Sequence, residues 1–115
     1  MADPIPVSTP SVPDASVPSI NGADFFFALG GELRWSIFRM LADGKTRTAV
    51  DVAAVLNREF DGVSKHLRTM RAAGVLSVAP TEDRRYVFFT IAPEFRKEPG
   101  VVDYGFCRID LTRMA

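Results

Sequence analysis

The stretch NREFDGVSKHLRTMRAAGVL, residues 57–76, decides how this chain is read. At about 100° per residue, Val63, Leu67 and Met70 share one helical face, which has to point at a core. Asp61, Ser64, Lys65, Arg68 and Ala72 share the opposite face. The outward face thus carries a hydroxyl, two cations and one acid. Ser and Lys can bond phosphates or base edges, and Arg can grip guanine with two bonds. An ordinary solvated helix face carries the same residue types, so this helix alone leaves both readings open. Its start raises an objection to DNA. Glu59, Asp61 and the helix-weakening Gly62 come first.

Working backward, TRTAVDVAAVLN reads as the preceding helix. Thr48 with Asp51 three residues on has the form of a capping box, with Asp in place of Glu. Val52, Val55 and Leu56 supply its expected buried face, and Asn57 suits a left-handed stop. Before it, GELRWSIFRMLADGK carries Leu33, Ile37, Met40 and Leu41 at helical spacing, widened by Trp35 and Phe38. Gly44 and Lys45 close that helix. A first helix is expected over Phe25, Phe26 and Phe27, capped by Asp24 and ended by Gly30 and Gly31.

Working forward, Gly74 ends the helix and the period changes. VLSVAP and RYVFFTI are β-branched and aromatic, and TEDRR between them is turn material. The pair predicts a hairpin with Arg84 and Arg85 at its turn. Pro93, Pro99 and Gly100 mark a loop. YGFCRIDL then alternates with period two and predicts one more strand. The fold class is mainly α with a small β hairpin, a winged helix-turn-helix with an extended N-terminal arm and a strand-like C-terminal tail. Residues 1–22, with five of the eight prolines, form the Pro/Ser-rich arm. Residues 23–92 form the winged helix-turn-helix domain, and residues 93–115 the extended tail, a strand or a dimer contact. In this order Arg84 and Arg85 sit where a wing meets the DNA backbone or minor groove. Two basic points flanking one helix tip the reading toward DNA.

The totals bound the rest. A chain of 115 residues, 47% hydrophobic and 24% charged, supports one globular core. The net charge is +0, so any grip on nucleic acid has to be a local patch. One cysteine, Cys107, and one histidine, His66, make neither a disulfide nor a zinc site within the chain. His66 falls on the flank of the helix, where packing or backbone bonding outweighs a metal or pH-sensing role. Cys107 reads as a buried inert thiol ahead of a redox sensor. No phosphate-cradling glycine loop and no nucleophile elbow occur, so neither an enzyme nor a cofactor is expected. No apolar run of about 20 residues spans a membrane. The opening MADPIPVSTP lacks the pattern of a signal peptide. A cytoplasmic protein is expected.

Four pieces together resemble the ArsR-type family of bacterial winged-helix transcriptional regulators. They are ALGGELRWSIFRMLADG with Arg34, VDVAAVLN, VSKHLRTMRAAGVL and EDRRYVFFTI. The resemblance spans about residues 25–91. It implies a homodimer on a two-fold site in double-stranded DNA. Asp61, Ser64, Lys65 and Arg68 then stand on the recognition helix, and Arg84 and Arg85 on the wing. The chain also departs from the family. Metal-sensing members carry cysteines on the helix before the recognition helix, and TAVDVAAVL has none, so metal sensing does not carry over. The family often closes with a dimerising helix, whereas FCRIDL is strand-like; the tail or the arm takes that place. Many members start the recognition helix with Ser, Thr or Asp, where this chain has Glu59. The expected function is a sequence-specific repressor. The alternatives are a winged-helix protein-interaction module without DNA binding, and a ligand- or redox-responsive switch.

Overall fold

Four helices, a small hairpin and a second hairpin follow one another in a computed structural model that describes residues 20–114. The arm expected over residues 1–22 therefore lies, up to residue 19, outside the described residues. The first helix, α1, runs Gly22–Leu29, and its cap is Asn21 rather than Asp24. The Asn21 side chain accepts from the Asp24 backbone N–H at 3.0 Å, which leaves Asp24 in the first turn. There its charge suits the positive end of the helix. Two glycines separate α1 from α2, Glu32–Leu41. Its buried residues are Ile37, Phe38 and Leu41, with Trp35 stacked on Phe38 at 5.3 Å.

The capping box forms as the sequence predicts. Thr48 accepts from the Asp51 backbone N–H at 3.1 Å, and the Asp51 carboxylate accepts from the Thr48 backbone N–H at 3.0 Å. It starts α3, Ala49–Leu56, and Asn57 stops it in the left-handed region at φ 52. The buried pair on α3 is Val52 and Ala53. Val55, expected in the core, is exposed. A helix of only eight residues turns a narrow stripe inward, and Val55 lies outside it.

The next helix, α4, is Phe60–Ala72, and Val63, Leu67 and Met70 on it are fully buried. Beyond it Gly74 adopts φ +89, a conformation that L side chains rarely adopt. The chain then enters β1, Ser77–Val78, which pairs antiparallel with β2, Phe89–Thr90. The ladder is shorter than RYVFFTI predicts. Tyr86 and Val87 remain outside it and exposed. Phe89 is also bridged on its other side by Arg47, through backbone bonds of 3.0 and 2.8 Å. Arg47 thus ties the segment before α3 to the hairpin. Its guanidinium donates to the Met40 carbonyl and to both carboxylate oxygens of Asp43.

The tail contains two strands where the sequence predicts one. After a 3-10 turn at Pro93–Phe95, β3, Val101–Asp103, pairs antiparallel with β4, Arg108–Asp110. Pro99 and Gly100 hide β3 in the sequence, because their turn signal abuts three strand residues. The hairpin returns to the helices. Val102 and Tyr104 belong to the same core as Phe25, Phe38 and Leu67. Tyr104 meets Phe25 edge-on at 4.8 Å and donates its hydroxyl to the Val75 carbonyl at 2.7 Å. Burial pushes the Tyr104 phenol well above its ordinary 10.0, so it stays a donor.

That bond is the polar tie between the second hairpin and the chain leaving α4. Tyr104→Phe keeps the ring and strands a buried carbonyl. Unfolding in urea should show a loss of about 1–3 kcal/mol. An unchanged midpoint would mean the bond adds no net stability.

Candidate nucleic-acid interface

The α3–turn–α4 unit is built by local rules. The capping box fixes the start of α3, Asn57 reverses the chain, and Arg58 donates its backbone N–H to the Ala53 carbonyl at 3.0 Å. Glu59 is the residue before α4, and its side chain makes no cap bond. The first turn of α4 therefore lacks the side-chain acceptor that Ser, Thr or Asp would supply.

The two faces of α4 separate as the spacing predicts. Val63, Leu67 and Met70 are inward, while Asp61, Lys65, Arg68 and Ala72 are exposed and Ser64 is half-buried. Phe60, Asp61, Gly62, Ser64, Lys65 and Arg68 line one open concavity. Arg68, Arg71 and Ala72 line a second. Arg71 is a cation that the reading of the face omits. Its signal is in the sequence, at the i+3 position from Arg68. Asp61 and Lys65 stand four apart, yet no ion pair joins them among the described residues. Nor is Arg68 or Arg71 in one. Asp61 is left as a first-turn acid facing the helix dipole.

The wing arginines line neither concavity. Arg85 is held by Asp83 through two bonds of 3.0 Å, Nε to Oδ1 and Nη2 to Oδ2. It also lies over the Tyr86 ring at 5.5 Å. The Asp83 carboxyl falls below its ordinary 3.8, chiefly through the side-chain bond from Arg85. Arg84 is exposed and has no ion pair among the described residues. The two neighbours therefore differ: Arg85 is preorganised, and Arg84 is available.

His66 is bound from another helix. Arg34 on α2 places Nη1 3.2 Å from His66 Nδ1. A guanidinium only donates, so Nδ1 accepts and the ring proton sits on Nε2. Arg34 also lies over the Phe27 ring at 4.9 Å, and its Nε is buried with no hydrogen-bond partner among the described residues. Burial, and then the Arg34 charge, hold the His66 pKa below its ordinary 6.5. This contact links α2 to the unit that carries the outward face.

The remaining chemistry is sparse. Burial, and then Asp103, raise the Cys107 thiol above its ordinary 9.0, which disfavours the reactive thiolate. Among the described residues no group of three or more His, Cys, Asp or Glu is placed to hold a metal ion. No helix among them is long and apolar enough to cross a membrane.

No protein-family model matches the sequence, and no curated protein matches it. Solved structures do match in fold. HlyU from Vibrio cholerae N16961 aligns at 23% identity and a TM-score of 0.54, over 64% of this chain and 78% of that one. Reduced HlyU from the same organism aligns at 23% identity and 0.53, over 64% and 76%. The arrangement of four helices and hairpin is the winged-helix fold of these structures.

Two outcomes follow for α4. A Cβ at Gly62 would meet nothing within 4 Å. Gly62→Ala should then stabilise the protein by about 1 kcal/mol, seen as a raised urea midpoint. A lowered midpoint would reveal a packing role. For His66, the unfolded chain takes up its proton near 6.5 and the folded chain only lower. Stability should decline as pH falls from 6.5 through the folded pKa. The carboxylates with resolved shifts are held below their ordinary 3.8, so their contribution is carried equally by wild type and by a His66 variant. His66→Asn keeps an acceptor and should flatten the melting temperature across that pH range; an equal slope in both proteins would remove His66 as the cause.

Proposed function

We propose that this chain is a sequence-specific DNA-binding transcriptional regulator, a repressor that acts as a homodimer on a two-fold site. In each subunit α4 enters the major groove, and the wing loop bearing Arg84 and Arg85 follows the backbone or minor groove. Asp61, Ser64, Lys65 and Arg68 are the groove-facing residues. The observation that carries the reading is the outward face of α4. Lys65 and Arg68 stand exposed there with no acidic partner among the described residues, on a helix whose other face is locked in the core. The winged-helix fold shared with HlyU supports it at the level of fold.

The homodimer rests on a second observation. Phe26 and Phe27 on α1 and Phe106 between β3 and β4 are all more than half exposed. Phe26 and Phe106 lie 6.5 Å apart, so α1 and the tail hairpin share an apolar surface. Exposed aromatic surface of this kind marks an interface. Repression requires only occupancy of a site and no further activating surface. The proposed place of action is the cytoplasm, where bacterial DNA lies.

The same aromatic surface favours one rival, a winged-helix module that binds protein and not DNA. Selection of bound sequences from a random DNA pool separates the two. A palindromic motif is expected, with half-sites about one helical turn apart. No affinity at low salt would sink the DNA reading and favour the rival.

With the selected site in hand, the residues divide by chemistry. Arg68→Ala should cost about 1–3 kcal/mol and relax sequence preference if Arg68 reads a base. Lys65→Ala should weaken binding evenly across sequences and reduce the salt slope by about 1. Full affinity in both variants, with unchanged melting temperatures, would exclude α4 as the reading helix.

A further inference from the structure

The first residue of α4 is a phenylalanine that stands outside the core formed by the described residues. Phe60 is 49% exposed, although it heads the helix that builds the core. It has no aromatic partner among the described residues, whereas Phe25, Phe26, Phe38, Phe88, Phe95 and Phe106 each meet another ring. Its ring lines the same concavity as Asp61, Ser64, Lys65 and Arg68. The apolar side chain is therefore part of the polar, cation-bearing surface and not of the core.

We infer that Phe60 is a specificity-determining residue that packs against the 5-methyl group of a thymine in the major groove. This rests on the DNA reading of α4 proposed above. The N-terminal residues of a recognition helix are those that reach base edges. Thymine is the base that presents an apolar group in that groove, and phenylalanine is a partner for it. Lys65 and Arg68, one and two turns further on, supply the charge that draws the helix to the duplex. Gly62 leaves the flank of the same turn bare, with open space where a side chain would stand. The helix start can then sink deep enough for Phe60 to touch a base.

The test uses the full chain and its selected DNA site. Each thymine of the half-site is replaced in turn by deoxyuridine, which removes only the methyl group. At one position the wild-type protein should lose about fourfold in affinity, the worth of one buried methyl. Phe60→Ala should bind the thymine site about fourfold more weakly than wild type and be indifferent to deoxyuridine at that position. Phe60→Leu keeps an apolar contact and should keep the sensitivity. A thermal melt of each variant checks folding; Phe60→Gln, which keeps a side chain of similar reach but removes the apolar ring, takes the place of an alanine variant that does not fold and should be equally indifferent to deoxyuridine. A site without thymine, a wild-type protein indifferent to every replacement, or an alanine variant that keeps the wild-type sensitivity overturns the inference while leaving DNA binding intact. Absence of any DNA binding instead overturns the reading beneath it.

Discussion

Everything in this fold depends on fixing one side of α4 so that the other is free. Val63, Leu67 and Met70 do this as a stripe that is completely buried against α1, α2 and α3. Burying side chains of this size stabilises by about 1.5–3 kcal/mol each relative to exposure, so the stripe dominates any surface pair. A one-residue slip would rotate the helix by about 100° and drive Ser64 and Arg68 toward the core. The outward face is thus a consequence of the inward one. Arg34 adds a polar stop at the flank by holding His66, and Tyr104 anchors the carbonyl of Val75 just past the helix end. The second hairpin, remote in sequence, therefore helps to fix the C-terminal end of α4.

Elements set by local rules were legible in the sequence. Thr48 with Asp51, Asn57 and Gly74 each act within a few residues, and each takes the conformation that its residue type favours. The stripe of α4 was legible because thirteen residues give the period room to show. What was not legible depended on distant partners. Arg47 looks like one more surface cation until β2 arrives beside it. Strand β3 is three residues long and becomes a strand only because Arg108–Asp110 pairs with it. Val55 was misplaced because eight residues do not fix the width of a buried stripe. The cap of α1 fell three residues earlier than expected, since Asn21 competes with Asp24 and both have capping side chains. For the candidate site, the shared face of Asp61, Ser64, Lys65 and Arg68 was legible from spacing alone. The tie between Arg85 and Asp83, and the part played by Phe60, required the folded neighbourhood.

The zero net charge is less of an objection to a basic face than it looks. Three ion pairs, Asp43–Arg47, Asp83–Arg85 and Glu98–Arg108, join charges away from the outward face of α4. Surface pairs like these stabilise little, but they cancel charge locally. The field that a duplex would feel near α4 is set by unpaired groups within about a Debye length, 8–10 Å. There Lys65, Arg68 and Arg71 outnumber Glu59 and Asp61 along α4 and its cap residue. A neutral chain can thus hold a basic stripe because most of its acids sit elsewhere. Such a stripe implies a grip of few phosphates, and so a larger share of recognition by contacts other than charge.

That conclusion bears on the start of α4, where three local preferences are broken in four residues. Glu59 occupies the cap position without capping, Phe60 exposes half of its surface, and Gly62 weakens the helix where a Cβ would have open space. Each has a cost in stability. Of the other helix starts, α3 has a full capping box and α1 a side-chain cap, while Gly31 starts α2 without a side-chain bond. What sets the start of α4 apart is that all three fall together in one turn, on the helix whose other face is fully buried. Natural sequences break local rules mainly where a site demands it. On the DNA reading proposed for α4, the acids and the glycine that first argued against DNA fall in the turn that would meet the duplex, and the exposed ring among them would make that meeting partly apolar.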